Sequence, residues 1–271
     1  MAKPVIAFIG GGNMASAIIG GLLKCGHPRE RLIVVEPYKP QRAKLAVDFG
    51  LTALAAADAS LGRAELLMWA VKPQLFAEAA APCAPYVAQA LQLSVMAGIR
   101  SDTLVRATGA ARVVRAMPNT PALIGEGIAG LYACPEVSAA DKTLVEQILA
   151  PTGAVMWVEH ESDLDAVTAL SGSGPAYFFY FVEAMMDAAV ELGLSAEQGR
   201  KLALATCAGA AALARQSTES PATLRERVTS KGGTTYAALA SLQADGVGPA
   251  IQRAVKAAQV RARELGDEFG A

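Results

Sequence analysis

Two short glycine-bearing stretches hold most of the residue types in this chain that can do chemistry. In the first, Gly10-x-Gly12-x-x-Ala15 fits the dinucleotide fingerprint. Its first glycine makes a tight turn, its second lets backbone approach a pyrophosphate, and a small third residue lets helix pack on strand. The second is Ser230-Lys231-Gly232-Gly233-Thr234-Thr235. Two successive glycine N–H groups and threonine hydroxyls at a helix start form a nest suited to one carboxylate. Each stretch also has a plain structural reading, a glycine corner between strand and helix or a threonine-capped helix start. A nucleotide-binding turn paired with a small carboxylate site suggests hydride transfer to or from a small acid.

Single residues extend this pattern. Glu36 ends an apolar run about 20 residues beyond Ala15, where the fingerprint expects an acid on the adenosine ribose. Lys72, with Pro73 behind it, ends another such run and faces either a phosphate or substrate, or solvent. Asn119 lies between Pro118 and Pro121, which stiffen the loop; its amide serves a nicotinamide or substrate, or the segment is a rigid crossover. The two histidines, His27 in a turn and His160 near an expected domain junction, read as structural. No strong proton donor accompanies the carboxylate nest. That favours an imine over a carbonyl, because a cyclic imine can enter already protonated.

The elements that must position these residues alternate. Runs at 5–9, 32–35, 66–71, 91–95, 112–117, 128–133 and 155–158 read as strands, with a further short strand at 52–54. Helices are expected at 13–23, 41–49 and 138–149. The pattern is a doubly wound α/β domain over residues 1–161. From residue 162 the chain reads as helices only, at 163–170, 175–192, 196–215, 221–228, 235–242 and 248–265, with a break at Ser171-Gly172-Ser173-Gly174. Residues 162–271 are thus expected to form an all-helical domain. The 175–192 helix carries Phe178, Phe179, Tyr180, Phe181, Val182, Met185 and Met186 almost all round, which predicts burial against a second subunit.

Composition excludes several classes. With 271 residues and 53% hydrophobic content there is ample core, and a net charge of −1 leaves no electrostatic footprint for nucleic acid or an anionic membrane. The four cysteines are scattered without metal-ligand spacing, so no metal site or disulfide framework is expected. The start of the chain passes directly into a strand, the 202–214 apolar tract is too short to span a bilayer, and a cytoplasmic location is expected.

The chain resembles the pyrroline-5-carboxylate reductase family over essentially its whole length. The resemblance rests on Phe8-Ile9-Gly10-Gly11-Gly12-Asn13-Met14, Ala70-Val71-Lys72-Pro73-Gln74, Arg115-Ala116-Met117-Pro118-Asn119-Thr120-Pro121, Leu170-Ser171-Gly172-Ser173-Gly174-Pro175-Ala176-Tyr177 and Val228-Thr229-Ser230-Lys231-Gly232-Gly233-Thr234-Thr235. It implies a Rossmann-type domain followed by an all-α dimerisation domain. It also implies reduction of 1-pyrroline-5-carboxylate to L-proline with NADPH favoured and NADH as second cofactor, in a homodimer often assembled into a decamer. Cofactor contacts would come from Gly10, Gly12, Asn13, Met14, Ala15, Ala70, Val71, Lys72, Pro73, Val95, Met96 and Ala97, with Asn119 nearby and Glu36 and Asp58 beside the adenosine. Glu161, Val228, Ser230, Gly232, Gly233, Thr234 and Thr235 would surround the substrate. Gly232, Gly233 and Thr234 would hold its carboxylate, and Thr235, with Ser230, would serve the ring nitrogen while hydride crosses the domain junction.

Two positions depart from the family pattern. Lys231 stands where the family usually has Pro, and Asp58 stands near a position often occupied by Asn. Glu36 and Asp58 put two acids where a 2′-phosphate would lie, with Lys39 and Arg42 to offset them, so both cofactors are expected to work. A 3-hydroxyacid dehydrogenase of similar plan would carry a Lys with a nearby Asn on the long helix, and residues 174–192 contain neither. A non-catalytic dinucleotide sensor would not need the 230–235 stretch.

Overall fold

The apolar runs near the N-terminus can face water on neither side, and they become adjacent parallel strands. The structure, a computed structural model, describes residues 3–270. β1 (Ile6–Ile9), β2 (Leu32–Val35), β3 (Leu66–Trp69) and β4 (Leu91–Ser94) are buried at every position. With β5 (Val113–Met117), β6 (Gly127–Ala133) and β7 (Gly153–Trp157) they form one sheet in the order β2-β1-β3-β4-β5-β6-β7. β6 runs antiparallel to β5, and β7 runs parallel to β6. The expected strand at 52–54 is reduced to a single bridge between Leu54 and Val35, because the chain there turns at once into a short 3-10 segment capped by Asp58.

Helices cover both faces of the sheet. They are α1 (Asn13–Lys24), α2 (Lys39–Phe49), the short α3 (Phe76–Ala80) and α4 (Ala84–Val87), α5 (Ser101–Thr108) and α6 (Ala139–Leu149). One core lies beneath α1 and α6, with Phe8, Ile18, Ile19, Met68, Leu93 and Leu131 at its centre. The other lies on the opposite face around Ile9, Leu67, Trp69, Phe76 and Val87. Gln92 is fully buried in this second layer, and every polar atom of its amide is used. Its Oε1 accepts from Trp69 Nε1 at 2.8 Å, and its Nε2 donates to the carbonyls of Val87 and Ala90. A buried amide this well paired fixes the mutual placement of β3, β4 and α4.

Among the described residues no strand follows β7. α7 (Asp163–Val167) runs into a π-helical turn over Thr168–Gly172, then α8 (Gly174–Glu191), α9 (Ala196–Gln216), α10 (Pro221–Arg227), α11 (Thr234–Ala244) and α12 (Val247–Gly270). The expected break at 171–174 is therefore a π turn. The chain divides into two compact units, one reaching to Ser173 and taking back the end of α12 from Ala258, the other Gly174–Ala257. Residues 162–173, expected with the helical domain, lie in the first unit because α7 and the π turn pack on the sheet. A Cβ on Gly130 would sit 2.7 Å from Val167 Cγ1, and one on Gly172 would sit 2.8 Å from Met117 Cε.

Within the second unit α8 and α9 approach closely, since a Cβ on Gly199 would lie 2.8 Å from that of Ala189. The aromatic faces of α8 remain outside this packing: Phe178, Phe179, Tyr180 and Phe181 are all exposed in the single chain. Among the described residues no helix is long and apolar enough to cross a membrane.

His27, only 5% exposed and, among the described residues, with no hydrogen-bond partner at Nε2, follows α1. Burial, and then the charge of Lys3, push its pKa below the ordinary 6.5. The unfolded chain therefore takes up a proton here before the folded chain does, and this contribution to stability is lost as pH falls below about 6.5. Thermal melts at about pH 7.5 and 5.5 should show wild type losing more Tm than His27→Gln. Parallel losses would show that His27 titrates alike in both states.

Candidate active site

Strand register builds the edge at which the glycine turn lies. Ile9 pairs with Trp69, Trp69 with Ser94 and Ser94 with Arg115, so the C-terminal ends of β1, β3 and β4 lie side by side, and β5 runs on to Met117. The first residues beyond those ends continue the ladder. Ala70 N–H donates to Ile9 O at 2.8 Å, and Val95 N–H donates to Trp69 O at 3.0 Å. This brings Gly10, Ala70, Val71, Val95, Met96 and Ala97 to one edge of the sheet, where ligands of open α/β sheets bind. Lys72 is exposed there, at the start of a 3-10 turn that begins with Pro73. Met96 is buried, so its side chain belongs to the core and only its backbone faces the edge.

The glycine turn has two distinct constraints. Gly10 has φ +94°, and a Cβ there would stand 2.6 Å from the Ala70 carbonyl oxygen. Gly12, the N-cap of α1, has nothing within 4 Å of a would-be Cβ, and no side chain caps the helix. The first N–H groups of α1, on Asn13, Met14 and Ala15, are thus left for an anion in open space, which is what a pyrophosphate requires. The residues present fit a bound dinucleotide.

Gly11, between them, is held by side chains that the fingerprint does not specify. Its N–H donates to Glu36 Oε2 at 2.9 Å, and its carbonyl accepts from Ser16 Oγ and Gln41 Nε2. Sequence reading missed Ser16 and Gln41, since nothing in helical periodicity distinguishes a surface Gln from one that reaches a turn. Glu36, expected on the ribose, is buried, and its Oε1 accepts from Tyr38 N–H at 2.9 Å. Asp58 is an exposed cap: it accepts from Ser60 N–H, and Ser60 holds its carboxyl below the usual range.

Two other expected ligands have structural partners. Asn119 Oδ1 accepts from Ile128 N–H at 3.0 Å, tying the β5–β6 loop together. Glu161 lies in the first unit, where its carboxylate accepts from Ser101 N–H and Oγ, both at 2.7 Å, and from Arg115 Nη1 at 2.8 Å. Arg115 is only 8% exposed at its side chain. A carboxylate opposite a buried guanidinium is costly to remove, because it leaves that charge unpaired. Ser101 and Arg115 were not singled out from sequence, as the pairing spans segments far apart in the chain.

The second unit carries a polar turn of its own. α10 ends at Arg227, which pairs with Glu219, and the chain then exposes Val228, Ser230 and Lys231. Gly232 takes φ +74°, and Gly233 N–H donates to Ser230 O at 3.0 Å, closing a tight turn. The N-cap of α11 is Gly233, not a threonine, and no side chain caps it. Thr234 and Thr235 occupy the first helical positions, so their N–H groups and hydroxyls share an uncapped helix start with left-handed Gly232 before it. A threonine-capped start is not what the loop forms; the helix start is left without a side-chain cap.

A parallel-sheet nucleotide unit with an uncapped glycine turn, followed by a helical unit with a second uncapped glycine turn, defines a dinucleotide-dependent oxidoreductase. Residues 5–98 match the family of coenzyme F420-dependent NADP oxidoreductases, and residues 161–265 match the pyrroline-5-carboxylate reductase dimerisation family. A pyrroline-5-carboxylate reductase of Pseudomonas aeruginosa is 43% identical over 100% of both chains. The structure of one from Coxiella burnetii superposes with TM-score 0.91 at 34% identity, over 97% of this chain and 98% of that one. One from Plasmodium falciparum with NADP bound gives 0.87 at 29% identity, over 98% and 99%. The chain belongs to the pyrroline-5-carboxylate reductase family.

The two glycines separate fold from binding. Gly12→Val should fold with a Tm near wild type and lose NAD(P)H affinity by tenfold or more, about 1.4 kcal/mol. Gly10→Ala should instead lower stability by about 1–3 kcal/mol from its backbone conformation alone. Fluorescence titration and thermal melts of both variants check this, and unchanged affinity in folded Gly12→Val would remove the turn from the site.

Proposed function

We propose that this chain reduces 1-pyrroline-5-carboxylate to L-proline with NADPH as favoured cofactor and NADH as second, working as a homodimer. The observation that carries the reading is the full-length match to pyrroline-5-carboxylate reductases together with the uncapped, glycine-led start of α11. When bound, the cofactor supplies a hydride to the C5 carbon of the ring. Gly10, Gly12, Asn13, Met14 and Ala15 hold its pyrophosphate, and Ala70, Val71, Lys72, Pro73, Val95, Met96 and Ala97 line its path along the strand ends.

Gly232 and Thr234 offer the substrate carboxylate their N–H groups at the helix start, where the dipole also favours an anion, and Gly233, whose own N–H closes the turn on Ser230 O, holds that geometry. Thr235, one residue further into α11, hydrogen-bonds the ring nitrogen, with Ser230 on the other side of the turn. This orients the C=N bond without requiring an acid, because the protonated imine becomes an amine as the hydride arrives. The long helix of a 3-hydroxyacid dehydrogenase would need a Lys and an Asn, and α8 has neither. Assembly follows from the exposed aromatic residues of α8, which a partner copy covers. The protein should sediment as a dimer or larger at micromolar concentration, and a stable active monomer would contradict this.

NADPH absorbance should fall only when pyrroline-5-carboxylate is added. Within that assay, Lys231 begins the nest and is exposed, so its ammonium adds attraction worth roughly 0–1 kcal/mol when solvated and more when the site closes. Lys231→Ala should raise KM for the imine by about two- to tenfold with kcat nearly unchanged, and should blunt its salt dependence. Thr235→Ala should lower kcat, since its hydroxyl touches the atom whose bonding changes. The reverse pattern would exchange the two roles.

A further inference from the structure

An acid and two cations lie together just beyond β2, where the adenosine ribose of a bound dinucleotide meets the sheet. They imply opposite preferences. A free carboxylate accepts the ribose hydroxyls of NADH, and a cation receives the 2′-phosphate of NADPH. The hydrogen bonds decide between them.

Glu36 is 9% exposed, and both its oxygens are taken by backbone, Oε2 by Gly11 N–H and Oε1 by Tyr38 N–H, each at 2.9 Å. The carboxylate lies against the glycine turn, since a Cβ on Gly11 would stand 3.5 Å from Oε2. Swinging it out to a ribose would leave two amide donors without a partner, a larger loss than neutral hydroxyls return. Arg42, half-buried on the first turns of α2, is anchored by one nitrogen. Its Nη1 donates to Glu36 O at 2.9 Å and to Pro37 O at 2.6 Å. Among the described residues its Nε and Nη2 meet no hydrogen-bond partner, so the rest of the fork is free. A guanidinium pinned at the end of β2 has already lost much of the side-chain freedom that phosphate binding would otherwise cost. It also offsets the charge of Glu36, whose own carbonyl it holds. Lys39, exposed at the first position of α2, adds a second cation.

We infer that Arg42 reads the 2′-phosphate of NADPH, while Glu36 clamps the glycine turn through Gly11 and does not select for NADH. This rests on the cofactor reading above, and binding measurements test it without turnover. With wild type, 2′,5′-ADP should bind at least tenfold more tightly than 5′-AMP. Arg42→Ala should raise Kd for NADPH and 2′,5′-ADP by about 10- to 100-fold, keep NADH and 5′-AMP within about twofold, and be partly rescued by Arg42→Lys. Glu36→Gln should weaken NADPH and NADH together, because the turn serves the pyrophosphate common to both. The inference is overturned if Arg42→Ala weakens both cofactors equally or neither, or if Glu36→Gln weakens NADH alone. Selective loss of 2′,5′-ADP in Arg42→Ala upholds it even in a protein that fails to turn over pyrroline-5-carboxylate, so the two readings fail separately.

Discussion

The nucleotide unit depends on one close backbone approach, that of Gly10 to the Ala70 carbonyl. β1 and β3 are central neighbours in the sheet, and the residue after β1 must turn away immediately beside the residue after β3. Only a glycine at φ +94° does this without a Cβ driven 2.6 Å from a carbonyl oxygen. Because the turn is that tight, α1 begins three residues later with its free N–H groups at the strand ends. Had the turn been longer, the helix start would no longer lie beside the β3 and β4 ends, and the edge residues would not share a ligand.

The same approach explains what could be read from the chain and what could not. Strands buried on both faces announce themselves as unbroken apolar runs, and glycines that must take positive φ or admit backbone announce themselves by type; hence β1 to β4, the first turn and the 230–235 turn were all legible. Helices from α8 onward were legible through their apolar content. The strand at 52–54 was not, because three residues of β character cannot show whether a neighbour's edge extends to meet them; here β2 offers Leu54 a single bridge. The π turn at Thr168–Gly172 was visible only as an interruption, since its side-chain pattern differs little from an α-helix that stops.

Side-chain roles were the less legible part, and the acids show why. Glu36 and Glu161 sit at positions where a ligand contact is expected, and each carboxylate instead accepts from backbone N–H groups or from a buried guanidinium. A motif records which residue type occupies a place; it does not record which donors the fold leaves unpaired there. Gly11 N–H is buried, so something must accept from it, and the acid at the end of β2 does so. Ser101, at the start of α5, poses the same demand, met by Glu161 together with Arg115.

This division of labour has a consequence for how the site tolerates change. Carboxylates that satisfy buried donors lock the frame: Glu36 sets the plane of the Gly11 peptide, and Glu161 ties the loop after β4 to β5. The groups left for ligands are then backbone N–H at two uncapped helix starts and the free edge of Arg42, none of which carries negative charge. An anionic cofactor and an anionic substrate can be bound by one chain of net charge −1 because its acids nearest the nucleotide turn are consumed internally. The fold need not be basic overall to bind two anions; it needs its local carboxylates already paired.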